Sequence, residues 1–100
     1  MTRLARTELQ RSLATLEGWS LSDSGKALEK SFKFKRFNQA FSFMTAIALK
    51  AEKMDHHPDW FNSFNLVEIS LSTHSAGGIT IKDIELATFI NNLFIDQKLS

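Results

Sequence analysis

Reactive side chains are densest in Glu52-Lys53-Met54-Asp55-His56-His57-Pro58-Asp59-Trp60, which packs two histidines, three acids, a lysine and a tryptophan into nine residues. Of these types, only histidine ordinarily titrates close enough to neutrality to give and take protons readily there. Pro58 stiffens the backbone and disfavours the α conformation at His57, so the two rings can be held in fixed directions. Trp60 offers a flat apolar surface for a planar ligand. Asp55, Asp59 or Glu52 can orient an imidazole by accepting its second N–H. The third and last histidine, His74, stands in Ser72-Thr73-His74, at the end of a segment that alternates like a strand. The chemistry this set suits is proton transfer to and from a bound molecule.

Each feature also has a plainer reading. His-His before proline fits a solvated loop, His74 a hydrogen-bonded strand terminus, Trp60 a core residue, and Asp83 the acid of a helix cap. Three histidines and a carboxylate also form a zinc donor set. Chain neighbours diverge, however, and the i, i+4 histidine pair of helical zinc sites is absent, so the spacing disfavours a metal ligand set.

The elements that would position these residues follow from periodicity. Thr7-Glu8-Leu9-Gln10 reads as a capping box, with Leu9, Leu13 and Leu16 at helical spacing and Gly18 as a stop. Residues 1–16 carry Arg3, Arg6 and Arg11 without an apolar signal core, and read as a helix of the domain and not as a targeting peptide. A short strand is expected at 19–22, with a turn at Asp23-Ser24-Gly25. Residues 28–35 alternate, with Leu28, Phe32 and Phe34 on one face and Glu29, Ser31, Lys33 and Lys35 on the other. Lys33, Lys35 and Arg36 then form a solvated basic face. From Asn38 to Met54 the period becomes helical, and Phe37, Ala40, Phe41, Met44, Ile47, Ala48 and Ala51 are expected to form a core stripe. Strands follow at 60–65 and 66–73, then a Gly77-Gly78 turn. Thr80-Ile81-Lys82-Asp83 is a second capping-box-like start, opening a helix to about Ile95. That helix is apolar on more than one face, which points to contact with another subunit. The order α-β-β-α-β-β-α with short loops predicts an α+β fold: a four-stranded antiparallel sheet with helices packed on one face.

Composition bounds the rest. The 100 residues fit one domain, 1–100, and their 43% apolar and 23% charged content is that of a folded globule. A net charge of +1 provides no global field towards nucleic acid or an anionic membrane. The absence of cysteine excludes disulfides, thiolate metal sites and cysteine nucleophiles, and suits a reducing, cytoplasmic setting. No apolar run approaches the ~18 residues of a membrane span.

The run Phe37-Asn38-x-Ala40-Phe41-x-Phe43-Met44-Thr45-x-x-Ala48-Leu49-x-Ala51-Glu52-Lys53-x-Asp55-His56-His57-Pro58-x-Trp60 resembles the pterin-4a-carbinolamine dehydratases, also called 4a-hydroxytetrahydrobiopterin dehydratases. The likeness continues through Trp60-Phe61-Asn62, Val67-x-Ile69-x-Leu71-Ser72-Thr73-His74 and Asp83-Ile84-x-Leu86-Ala87-x-Phe89-Ile90, so that it spans roughly residues 18 to 95. It implies a hydro-lyase that removes water from 4a-hydroxytetrahydrobiopterin to give quinonoid dihydropterin, in recycling of the pterin cofactor. It further implies that no metal or organic cofactor is needed, and that the protein assembles as a homodimer or homotetramer. Carried over by position, His56, His57 and His74 are the catalytic histidines. Asp55, Pro58, Trp60, Ser72, Thr73 and Asp83 line the pterin pocket. Animal members also bind a homeodomain transcription factor, which leaves a protein-binding role as the rival expectation; direct nucleic-acid binding is not expected.

Overall fold

The computed structural model describes residues 1–99. In chain order it has α1 (Arg6–Thr15), β1 (Ser20–Leu21), β2 (Leu28–Lys33), α2 (Phe37–Met54), β3 (Asp59–Ser63), β4 (Leu66–Leu71), a short 3-10 turn (His74–Ala76) and α3 (Ile81–Leu99). This is the order expected from the periodicity. The four strands form one antiparallel sheet in the order β1-β2-β4-β3.

Alternation decides which face of the sheet is covered. Leu28 and Phe32 of β2 and Val67, Ile69 and Leu71 of β4 are buried, while Glu29, Ser31, Lys33 and Glu68 between them are exposed. The core cluster joins these strand residues to Ala40, Phe43, Ile47 and Ala51 of α2 and to Leu86, Ala87 and Ile90 of α3. Phe32, Phe34, Phe43 and Phe94 pack around one another with ring centroids 5.0–5.9 Å apart. Lys30 shares the inner face with Leu28 and Phe32, unlike its basic neighbours. Its Nζ donates to the Glu17 carbonyl and to Asn91 Oδ1, both at 2.9 Å, and lies 4.8 Å from the Phe32 ring centre. Burial holds this ammonium below the usual lysine range, and the Glu17 charge partly opposes that shift.

Two local expectations need correction. The first helix is capped at Ala5, not Thr7, because the Leu4 N–H is bonded to the Ile79 carbonyl and the chain turns into the helix immediately afterwards. Only half of a capping box remains, in which Glu8 Oε1 accepts the Ala5 N–H at 3.2 Å. In α2 the buried stripe is Ala40, Phe43, Ile47 and Ala51, whereas Phe37 and Phe41 are exposed and Ala48 faces solvent. Phe43 was missed because apolar residues lie on two adjoining faces of this helix, and a hydrophobic count cannot rank them. In α3 most of the apolar surface is used within the chain: Ile84, Leu86, Ala87, Phe89, Ile90, Leu93 and Phe94 belong to the core or pack on it, leaving Ile81 and Ile95 exposed. The exposed apolar side chains lie mainly elsewhere, at Phe37, Phe41 and Leu49 of α2 and at Phe61 and Phe64 of the β3–β4 hairpin.

That hairpin turns through Phe64-Asn65, since Ser63 pairs with Leu66. Phe64 has φ 50°, a left-handed conformation that favours glycine. Asn62 Nδ2 clamps the turn by donating to the Phe64 and Leu66 carbonyls at 3.2 and 2.9 Å. Relief of left-handed strain is worth about 1–2 kcal/mol, and the extra chain entropy of glycine offsets about 0.5–1 kcal/mol of it. Phe64→Gly is therefore expected to raise stability by about 0.5–1 kcal/mol. Urea denaturation checks this: the midpoint should rise with an unchanged slope.

Candidate active site

The site begins where α2 stops. Asp55 takes φ 52° and ψ 46°, its N–H bonds the Glu52 carbonyl at 3.1 Å, and the His56 N–H bonds the Ala51 carbonyl at 3.0 Å. These two bonds form a Schellman closure with aspartate in the position usually held by glycine. The closure, more than Pro58, ends the helix. A non-glycine residue held left-handed beside two histidines is the sort of local strain found at functional sites.

The turn sends the neighbouring imidazoles to different surroundings. His56 points inward and is 8% exposed, while the His57 side chain is 59% exposed. His56 Nε2 lies 2.5 Å from Oδ1 of Asp83, a residue with no solvent exposure. The other carboxylate oxygen of Asp83 accepts the Thr73 hydroxyl at 2.8 Å and the Thr80 N–H at 2.9 Å. Thr73 Oγ1 is also 2.8 Å from Thr80 Oγ1. Because the single Thr73 hydroxyl proton goes to Asp83, Thr80 must be the donor in that contact, and Thr80 Oγ1 in turn accepts the Lys82 N–H at 3.3 Å. Donors thus run in one direction, from Lys82 N–H through Thr80 and Thr73 to Asp83. A carboxylate with only acceptor capacity requires His56 to present Nε2–H, leaving Nδ1 as the nitrogen available for proton exchange. Among the described residues no buried side-chain nitrogen or oxygen lacks a partner.

Three elements must come together for this. Thr73 follows β4 and is fixed by the Thr73–Gly78 bridge, with Thr73 N–H on the Gly78 carbonyl at 2.8 Å. Thr80 and Asp83 form the capped start of α3, as the sequence pattern indicates. Lys82 Nζ reaches the Met54 carbonyl at 3.5 Å, tying α3 to the end of α2.

The other two histidines lie at the surface, each with its own acid. His57 Nε2 is 2.8 Å from Glu52 Oε1, five residues back in the last turn of α2. His74 Nε2 is 3.8 Å from Asp59 Oδ2. Asp59 pairs with Ser70 at the end of the β3–β4 ladder, and His74 opens the 3-10 turn just beyond β4, so the sheet register brings them together. Of the three expected imidazole partners, Glu52 and Asp59 are used. Asp55 has no hydrogen bond or ion pair from its side chain among the described residues, and its visible part is the backbone turn. Pro58, Trp60 and Ser72 are half-buried, and Trp60 packs partly against the core. Asp59 and Trp60 also border a hollow of about 420 Å³ on the sheet, shared with Phe61 and Ser70. Each histidine pairs with a different carboxylate, and among the described residues no three such groups are placed to hold a metal ion. The residue that sequence reasoning missed is Thr80, which it treated as a helix cap alone. The available signal was a capping threonine and acid following closely on Thr73-His74.

A sequence model of the family described as pterin 4 alpha carbinolamine dehydratase matches residues 2–93. The chain belongs to this family. The match takes in the N-terminal segment, which the motifs alone left out. Among similar carbinolamine dehydratases, one from Paraburkholderia xenovorans, provisionally so named, is 48% identical over 91 residues, covering 91% of this chain and 95% of that protein. Another with the same provisional name, from Rhizobium johnstonii, is 51% identical over 87 residues, covering 87% and 86%. The crystal structure of a transcriptional coactivator/pterin dehydratase from Brucella melitensis superposes with a TM-score of 0.89 at 47% identity, covering 92% of this chain and 98% of that one. A pterin dehydratase-like protein identified as a RuBisCO assembly factor in the alpha-carboxysome shares the fold, with a TM-score of 0.67 at 22% identity. No helix among the described residues is long and apolar enough to cross a membrane.

The donor chain makes two stability predictions for this carbinolamine dehydratase family member. Asp83→Ala strands the buried His56 and Thr73 donors and is expected to cost about 3–5 kcal/mol. Thr80→Val keeps the shape but removes one donor and one acceptor, for about 1–3 kcal/mol, and Thr80→Ser restores most of it. Glu52→Ala, at an exposed pair, is expected to cost under about 1 kcal/mol. Chemical denaturation of the four variants ranks them; equal losses for Glu52 and Asp83 would contradict the burial argument.

Proposed function

We propose that the protein is a 4a-hydroxytetrahydrobiopterin dehydratase, a hydro-lyase working by histidine acid–base catalysis in pterin recycling. The observation that carries this reading is that all three histidines fall at one end of the sheet, each hydrogen-bonded or ion-paired to a separate carboxylate, in a chain of this family.

Dehydration needs a proton delivered to the 4a hydroxyl and a proton taken from N5. As the C4a–O bond breaks, water leaves, the N5–H electron pair closes the C4a=N5 double bond, and the product is quinonoid dihydropterin. His57 is the central acid/base residue in this proposal. Its exposed ring can meet a ligand, and Glu52, 2.8 Å from Nε2, steadies it. His56, fixed by Asp83, and His74, beside Asp59, protonate or hold the leaving hydroxyl from either side. Asp55, Pro58, Trp60, Ser72 and Thr73 shape the pterin pocket, with Trp60 as the flat wall. Asp83 acts on substrate through His56. In this proposal the chain's own side chains provide the proton transfers, without a metal or organic cofactor, in the cytoplasm.

A second reading is favoured by the description of the Brucella melitensis relative as a coactivator as well as a pterin dehydratase. The exposed Phe37, Phe41 and Leu49 of α2 give a protein partner an apolar surface, as they would a second copy in a homodimer or homotetramer.

The dehydratase reading is checked by the ultraviolet absorbance of freshly generated 4a-hydroxytetrahydropterin against a no-enzyme trace. Wild-type protein should accelerate its decay, and His57→Ala should lose at least about tenfold in rate, the low side of general acid–base contributions. Full activity in a folded His57→Ala protein would remove His57 from the mechanism. No acceleration by folded wild-type protein would move the weight to the binding role.

A further inference from the structure

A second cleft, of about 1080 Å³, lies away from the His56–Asp83 pair. The N-terminal arm, the β1–β2 turn and the loop after His74 enclose it. Arg3, Arg6 and Lys26 line it, and no carboxylate does. All three cations are exposed, and none makes an ion pair among the described residues. The nearest acid in the arm, Glu8, is occupied by the Ala5 N–H. In a chain of net charge +1, such a concentration of unpaired positive charge is local, not a reflection of composition.

The cleft is also pre-formed. The Leu4 N–H bond to the Ile79 carbonyl, 2.9 Å long, anchors the arm. Gly78 is buried beneath it, and a Cβ built on Gly78 would lie 2.8 Å from Arg3 Cδ. Gly78 has no left-handed φ to explain its identity, unlike Gly77 at 70°. What it provides is room for the Arg3 stem, so this guanidinium is carried on a supported side chain with less freedom to lose on binding. Leu9 and Leu21 add apolar lining beside the cationic rim.

We propose that this cleft binds a small molecule through a phosphate or diphosphate group, with the organic part against Leu9 and Leu21. Arginine forks match phosphate oxygens in pairs, and Lys26 adds a point charge from the opposite wall. Three cations gathered in one cleft suit a compact anion. A nucleic-acid polymer would call for a longer basic stripe. Because the loop after His74 forms one wall, the bound anion would also touch the segment that carries this histidine. Binding can be read without turnover, so the inference stands apart from the dehydratase reading.

The test is an amide-shift titration of the full chain with inorganic diphosphate and with adenosine diphosphate, using adenosine as the uncharged control. Saturable shifts confined to residues 3–6, Leu9, Leu21, Lys26 and residues 75–79 are expected, those at Leu9 and Leu21 with adenosine diphosphate. Arg3→Ala and Lys26→Ala should each weaken binding about tenfold. Gly78→Ala should weaken it as well, by displacing the Arg3 stem while all three charges remain. Arg11→Ala, outside the cleft, should change nothing. The amide spectra of the free variants report whether each is folded. Shifts that fail to saturate, that appear equally at Lys33, Lys35 and Arg36, or that survive Arg3→Ala would overturn the proposal. Tighter binding of duplex DNA than of diphosphate would do the same.

Discussion

A carboxylate without solvent exposure must find its donors inside the protein, and Asp83 finds three: the His56 ring, the Thr73 hydroxyl and the Thr80 backbone. Those donors come from the end of α2, the end of β4 and the start of α3. Satisfying one buried charge therefore fixes the junction of three elements. The site cannot be loosened at one of them without leaving a polar group unpaired in the others. This gives the arrangement its rigidity, and it separates His56 from the two histidines whose partners lie in water.

The sheet serves this junction by register. Antiparallel pairing of β3 with β4 sets Asp59 opposite Ser70, and the bridge from Thr73 to Gly78 turns His74 back towards Asp59. The core below is made by one face of the sheet, with an aromatic cluster of Phe32, Phe34, Phe43 and Phe94 holding α2 and α3 down. This packing brings the helix ends that carry His56 and Asp83 near one another, and the Asp83 hydrogen bonds then fix the junction. The surface pairs, His57 with Glu52 and His74 with Asp59, add little to stability and leave their rings accessible.

Much of this could be read from the chain before its structure. Alternation in residues 28–35 and 66–73 identified both the strands, which run over 28–33 and 66–71, and the covered face, because one-sided burial imposes period two. The His56-His57-Pro58 run and Thr73-His74 were recognisable as a set. Partner choice was not. Three acids surround the histidine pair in sequence, yet the buried partner of His56 is Asp83, brought from 27 residues away by the fold. Helix faces were also ambiguous where apolar residues were abundant. Phe41 and Phe43 are equally hydrophobic, and only the position of the sheet decides that Phe43 is buried and Phe41 exposed. The Thr80 hydroxyl looked like a cap because capping is local, whereas its bond to Thr73 depends on a loop that turns back.

At the centre of the account is an imidazole whose tautomer is fixed by a buried carboxylate, with Nε2 of His56 taken up by Asp83 and Nδ1 left without that partner. Nitrogen-15 NMR of the histidine rings measures this directly. The account predicts an Nε2–H signal for His56 that is protected from exchange, with Nδ1 unprotonated in the neutral ring, and loss of that signature in Asp83→Ala protein that remains folded. A His56 ring protonated at Nδ1 in the neutral form, or one whose spectrum is unchanged without Asp83, would contradict it.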